Sequence, residues 1–149
     1  MVNGLEHTSF TVSDLERSVG FYRDLLGLEV FGEGERHGGY FGRIVGYPDA
    51  DARVALVRPR GSNHHIELFQ YISPEPTTAD LEPRLVGVTH VCLTVDDLDG
   101  LYARLLEAGV DTFVSPPVAI DGGANSGGSA LYLRDPDGII LELFQPPED

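Results

Sequence analysis

The chain has 149 residues, 42% of them hydrophobic, and a formal charge of −14, enough apolar material for one domain or for two small modules sharing a core. The acidic balance argues against nucleic acid or an anionic membrane as partner, and apolar runs as short as residues 139–141 fall far below the roughly 20 residues of a bilayer span. All ten basic residues are arginine, which excludes lysine Schiff-base chemistry and a phosphate-loop lysine.

Residues 5–12 alternate, with Thr8, Phe10 and Val12 on one face and His7, Ser9 and Thr11 on the other, which predicts a strand. Ser13 with Glu16 reads as a capping box, and Leu15, Val19, Tyr22 and Leu26 follow at helical spacing until Gly27. Strand-like runs come next near 38–45, 53–58 and 64–70. The span 71–86, with Pro74, Pro76 and Pro83, reads as a linker. A second strand at 88–95, a cap at Asp96 or Asp97, and a helix with Leu98, Leu101, Tyr102 and Leu105 ending at Gly109 repeat the opening. Further strands are expected near 111–114, 129–134 and 139–145. Arg134-Asp135-Pro136-Asp137-Gly138 supplies the turn between the last two.

The recurrence is a duplication. Gly4, His7, Thr11, Val12, Asp14 and Leu15 align with Gly87, His90, Thr94, Val95, Asp97 and Leu98 at an offset of 83. Ile66-Glu67-Leu68-Phe69-Gln70 aligns with Leu141-Glu142-Leu143-Phe144-Gln145 at an offset of 75. The expected fold class is α+β: two tandem βαβββ modules, residues 4–70 and 87–146, pairing around a shared concave mixed sheet in a single domain over 1–149.

Four residues coincide in this alignment: His7 with His90, and Glu67 with Glu142. Each histidine is expected mid-strand, opposite the large apolar residues. Each glutamate is flanked by Ile or Leu, and an unpaired carboxylate there would cost several kcal/mol. One divalent cation (Ni, Zn, Co, Mn or Fe) satisfies two carboxylates together with two neutral imidazoles. His37, His64 and His65 have no counterpart in the other half, and surface or structural roles are expected of them, although His65 shares a strand face with Glu67. Cys92, the single cysteine, cannot form an internal disulfide and reads as a small buried hydrophobe. With no basic or apolar leader in residues 1–6, a reducing cytoplasm is the simplest location. Substrate contacts are expected from Arg43, Phe69 and Tyr132, and from Asn125 in the glycine-rich 122–128 loop.

The chain resembles the vicinal oxygen chelate superfamily, which comprises glyoxalase I, methylmalonyl-CoA epimerase, fosfomycin-resistance proteins, extradiol dioxygenases and bleomycin-resistance proteins. The resemblance rests on His7-Thr8-Ser9-Phe10-Thr11-Val12 with Phe21-Tyr22-Arg23-Asp24-Leu25-Leu26-Gly27-Leu28, on His65-Ile66-Glu67-Leu68-Phe69, on His90-Val91-Cys92-Leu93, and on Asp135-Pro136-Asp137-Gly138 with Leu141-Glu142-Leu143. It implies the glyoxalase/bleomycin resistance/dioxygenase fold and a homodimer. It also implies a metal set at His7, Glu67, His90 and Glu142 similar to that of bacterial glyoxalase I.

The activity so implied is that of a metal-dependent lyase or isomerase acting on a small molecule. Chelation would stabilise an enediolate-like intermediate, with Glu142 or Glu67 as catalytic base. Two alternatives stand beside it: an Fe(II)-dependent dioxygenase using a two-histidine, one-carboxylate subset, and a non-catalytic resistance protein that sequesters an aromatic metabolite.

Overall fold

The computed structural model describes residues 1–148. The chain divides into two compact units, Met1–Ala79 and Asp80–Asp149. The first unit runs β1 (His7–Thr11), α1 (Leu15–Gly20), β2 (Glu29–His37), α2 (Gly39–Val45), β3 (Asp51–Arg58) and β4 (His65–Ser73). The second runs β5 (Val91–Thr94), α3 (Leu98–Glu107), β6 (Val118–Ala119), β7 (Ser129–Arg134) and β8 (Ile140–Gln145). Each unit carries one four-stranded sheet, in order β1-β4-β3-β2 and β5-β8-β7-β6. The first and last strands of each pair in parallel and the remaining neighbours are antiparallel. This is the α+β, βαβββ repeat that the duplication predicts.

In both units the helix covers one sheet face. Leu15, Val19 and Tyr22 are buried with Phe10, Val12, Ala55, Val57, Ile66 and Leu68; Leu98, Leu101 and Leu105 are buried with Leu131, Leu133, Leu141 and Leu143. Each aliphatic side chain removed from water contributes about 1.5–3 kcal/mol, so these faces hold the units together. The helix after α1 widens into a π-helical turn over Phe21–Leu25, where Leu26 N donates to the Phe21 carbonyl, and Gly27 ends it with φ 76°.

The helix starts show how the repeat works. Asp14 caps α1 by accepting from Arg17 N, and Asp97 caps α3 by accepting from Gly100 N. The expected Ser13–Glu16 box does not form: Ser13 Oγ accepts from Arg17, and Glu16 pairs with Arg53. Asp14 occupies the N-cap and reaches the N3 amide of Arg17, which leaves Ser13 one residue outside the helix. The aligned glutamines add a second cap that the sequence reading passed over. Gln70 Oε1 accepts from Leu15 N at 3.2 Å and Gln145 Oε1 from Leu98 N at 2.8 Å, tying the last strand of each unit to the start of its helix.

Three expected strands are redrawn. The strand expected at 38–45 is the helix α2 over 39–45: Phe41 and Val45, one turn apart, pack with Ala50, Ala52, Phe69 and Tyr71. A Cβ at Gly42 would come within 2.6 Å of the Tyr47 carbonyl, so glycine is what lets this helix lie against the following loop. The strand before it is 29–37, a charged, glycine-bearing edge strand whose sequence carries no apolar alternation to mark it, although its exposure alternates once β3 pairs with it. Residues 111–114 contribute one isolated bridge, Phe113 to Leu133, and β6 lies beyond Pro116-Pro117, since proline cannot supply ladder donors. The strand expected at 88–95 is confined to 91–94.

The β7–β8 turn follows the sequence reading. Asp135, 2% exposed, accepts from Asp137 N and Ile139 N at 2.9 and 2.8 Å, and Gly138 takes φ 84°. Asp135→Ala leaves two amides without that acceptor and is expected to destabilise the protein by about 1–3 kcal/mol, read from the urea midpoint. A midpoint equal to the parent's would show that the carboxylate does not hold the turn.

Candidate metal centre

The parallel pairing of first and last strands brings each histidine to its glutamate. In the first unit β1 and β4 pair with His7 opposite His65 and Ser9 opposite Glu67, so His7, His65, Glu67 and Phe69 share the face away from α1. His7 Nε2 lies 3.5 Å from Glu67 Oε2. In the second unit Cys92 stands opposite Glu142 on β8, and Tyr132 opposite it on β7. His90 Nε2 lies 3.0 Å from Glu142 Oε2.

The two pairs match in burial as well as in register. The histidine side chains are 42% and 40% exposed and the glutamates 20% and 22%. Neither histidine is mid-strand as expected. His7 is the first residue of β1, and His90 lies just before β5. A ring at the strand end keeps its freedom to turn toward the glutamate on the adjacent strand, where a mid-strand ring would stand perpendicular to the sheet.

The surroundings differ between the units. Glu6 bonds His7 Nδ1, which lowers the Glu6 pKa and leaves His7 Nε2 turned to Glu67. A carboxylate on the far nitrogen of a ligating imidazole fixes its tautomer and orientation. Glu6, His7 and His65 lie close enough together to hold a metal ion. His65 is buried on the Glu67 face, which agrees with a structural role and not with a surface one. His64 instead meets Thr8 at 3.0 Å, and His37 pairs with Glu35 and Asp51.

In the second unit the Tyr132 hydroxyl is 3.3 Å from His90 Nε2. Burial first, then Glu142 and Cys92, push the Tyr132 phenol above its ordinary pKa. Cys92 is exposed, not buried as expected, because β5 carries no layer over this face within its unit. The sulfur is still partly desolvated. That desolvation, and then the Glu142 carboxylate, raise the thiol to about 11.

A family model for the Glyoxalase/Bleomycin resistance protein/Dioxygenase superfamily matches residues 4–143. The chain belongs to this superfamily. It is 28% identical to the metallothiol transferase FosB of Shouchella clausii, over 96% of this chain and 80% of that protein. It is 29% identical to the ethylmalonyl-CoA/methylmalonyl-CoA epimerase of Cereibacter sphaeroides, over 97% of this chain and 99% of the relative. Among solved structures, a glyoxalase family protein from Bacillus cereus superposes with a TM-score of 0.84 at 25% identity, covering 99% of this chain and 97% of that one.

Members of the superfamily share this scaffold, so the remaining expected residues are best placed by contact. Phe69 stacks on Phe41, with ring centroids 5.6 Å apart and planes 6° from parallel, on the Glu67 face. Tyr132 is at the His90–Glu142 pair. Arg43 is exposed on α2, and Asn125 lies in the loop before β7, its carbonyl accepting from Gly128 N. Among the described residues, no hydrogen bond or ion pair joins either of them to the histidine–glutamate pairs. No helix among the described residues is long and apolar enough to cross a membrane.

In EDTA-treated protein, Cys92 should alkylate slowly with iodoacetamide at pH 8, and Glu142→Gln should move the pH midpoint downward and speed the reaction. The sign follows from charge: a neighbouring carboxylate disfavours the thiolate, so its neutralisation releases it. An unmoved midpoint would separate Cys92 from Glu142 electrostatically.

Proposed function

We propose that this protein is a metal-dependent lyase or isomerase of the glyoxalase type, with His7, Glu67, His90 and Glu142 as ligands of one divalent ion. The observation that carries the reading is the repeated pair: in each unit an imidazole Nε2 stands 3.5 or 3.0 Å from a carboxylate of matching burial. The donor chemistry fits, since two neutral nitrogens and two carboxylate oxygens suit Ni, Zn, Co, Mn or Fe alike. When bound, such an ion supplies Lewis-acid polarisation of adjacent substrate oxygens.

The chain's own groups then do the rest. Glu142, whose Oε2 accepts from His90, takes the proton next to the substrate carbonyl; Glu67 is its counterpart in the first unit. General-base help of this kind contributes roughly 10²–10⁴-fold. Tyr132 donates its hydroxyl proton to a substrate oxygen, and Phe69 offers an apolar wall in front of Glu67. Arg43 and Asn125 are assigned to substrate recognition. The epimerase relative supports an isomerase, and a transferase relative shows that the scaffold is not confined to isomerases. The same reading makes it a cytoplasmic homodimer acting on a small molecule.

Elemental analysis of protein purified without chelators should find about one divalent ion per chain, and His7→Ala or His90→Ala should each lower Co(II) affinity at least tenfold. With a 2-oxo or 2-hydroxycarbonyl substrate in D₂O, Glu142→Gln should cut exchange of the carbon-bound proton about 10²–10⁴-fold. Full exchange by that variant would remove Glu142 as base. No stoichiometric ion would move the reading to a sequestering protein, and Fe(II)-dependent oxygen uptake would move it to a dioxygenase.

A further inference from the structure

We propose that Arg58 binds a carboxylate of the substrate, so that the substrate is a small acid carrying that carboxylate a few bonds from two adjacent chelating oxygens. The inference rests on the metal assignment of Glu67 above and names the substrate class for that centre.

Arg58 reaches the centre through strand register. Leu56 stands opposite Glu67 and Val57 opposite Ile66 in the antiparallel β3–β4 pair, so Arg58, two residues beyond Leu56, lies on the Glu67 face and diagonal to Glu67. Diagonal neighbours of this kind are about 7–8 Å apart, within reach of a long side chain. Glu29 stands opposite Arg58 on β2, and Arg58 Nε donates to Glu29 Oε1 at 2.7 Å. β2 bulges between Val30 and Gly32, and the Phe31 ring at the bulge lies under the guanidinium, 4.3 Å from Cζ to its centroid. The same ring meets His65 edge-on, with 5.3 Å between centroids at 89°. A bulge re-aims a side chain, and here the re-aimed ring joins Arg58 to the face that carries His65 and Glu67. Glu29 thus fixes one edge of the guanidinium and Phe31 fixes its plane.

These two contacts leave the fork of the guanidinium open. Among the described residues neither η nitrogen of Arg58 has a hydrogen-bond partner, and the side chain is 35% exposed. The second unit supplies the contrast. Arg134 ends β7 opposite Ile140, two residues beyond Tyr132, which faces Glu142; this is the place Arg58 holds in the first unit. Arg134 Nη1 donates to the Leu81 and Gly138 carbonyls at 3.1 and 2.9 Å, and Nη2 lies 3.8 Å from Glu82. One arginine ties down its own chain, and the other presents its donors to the Glu67 face. With Nε taken, the two η nitrogens are spaced to meet both oxygens of a carboxylate. The charge agrees: a chain of formal charge −14 repels an anion at long range, so an acidic substrate needs a local cation. Glu29 already offsets part of that cation, which suits a monoanion better than a phosphate dianion.

The test uses the Co(II)-loaded full chain and two hydroxamates, with affinity read from visible absorption. Both probes offer the same pair of adjacent oxygens; succinate monohydroxamate ends in a carboxylate where pentanohydroxamate ends in an ethyl group. The parent should bind the carboxylate probe about tenfold more tightly, as a charge-assisted pair partly open to solvent does. Arg58→Gln should abolish that preference and leave pentanohydroxamate affinity unchanged, which also reports an intact fold and metal site. Arg58→Lys, with the charge but not the fork, should keep only part of the preference. Arg58→Met, which keeps the stem over Phe31, replaces Arg58→Gln if the latter does not fold. Arg60, 87% exposed and 3.8 Å from Glu29, is the control, and Arg60→Gln should leave the preference at the parent's value. No preference in the parent, or the full preference in Arg58→Gln, would overturn the proposal and leave the metal assignment in place. Tighter binding of 3-phosphonopropanohydroxamate than of the carboxylate probe would overturn the carboxylate assignment in favour of a phosphate. No Co(II) uptake, or no spectral response to either hydroxamate, would overturn the proposed function and this inference together.

Discussion

Parallel pairing between the first and last strand of each unit is the constraint on which the rest depends. A histidine near residue 7 and a glutamate near residue 67 are brought side by side only because β1 lies against β4 with a register that sets Ser9 beside Glu67. The same pairing in the second unit does this for His90 and Glu142 through β5 and β8. Parallel neighbours need a crossover, and in each unit the helix supplies it and covers the opposite face. One arrangement thus builds the hydrophobic core on one side of the sheet and leaves a partly desolvated carboxylate on the other. The paired glutamines, Gln70 and Gln145, lock the two consequences together by capping the crossover helix from the strand that carries the glutamate.

The two units keep this frame and differ in what surrounds the pair. The first unit adds nitrogen and carboxylate donors: His65 on the strand face, and Glu6 behind His7. The second adds a hydroxyl and a thiol, Tyr132 and Cys92, both held in their protonated forms by burial and by Glu142. The relatives with 28–29% identity include a transferase and an epimerase, so one frame serves more than one reaction.

Reading the fold from sequence succeeded where periodicity and duplication reinforced each other. Phe10 and Val12, the helix residues Leu15, Val19 and Tyr22, and the Asp135–Gly138 turn all lie where pattern places them. It failed where burial is decided by distant chain. Residues 39–45 carry aromatic and aliphatic side chains at spacings compatible with either a strand or a helix, and packing against Ala50, Ala52 and Phe69 selects the helix. Glu29–His37 has too little apolar contrast to announce itself, and is a strand because β3 offers it a ladder.

The sequence by itself determined the repeat, the α+β class and the identity of His7, Glu67, His90 and Glu142 as a matched set, because duplication writes equivalent positions in equivalent residues. Tertiary structure decided which residues without an aligned counterpart stand beside each pair. His65, Tyr132 and Cys92 have no aligned partners to mark them, and their place beside a carboxylate comes from register between strands far apart in sequence. A strand's own pattern says which face a side chain takes; only the neighbouring strand says what it will meet there.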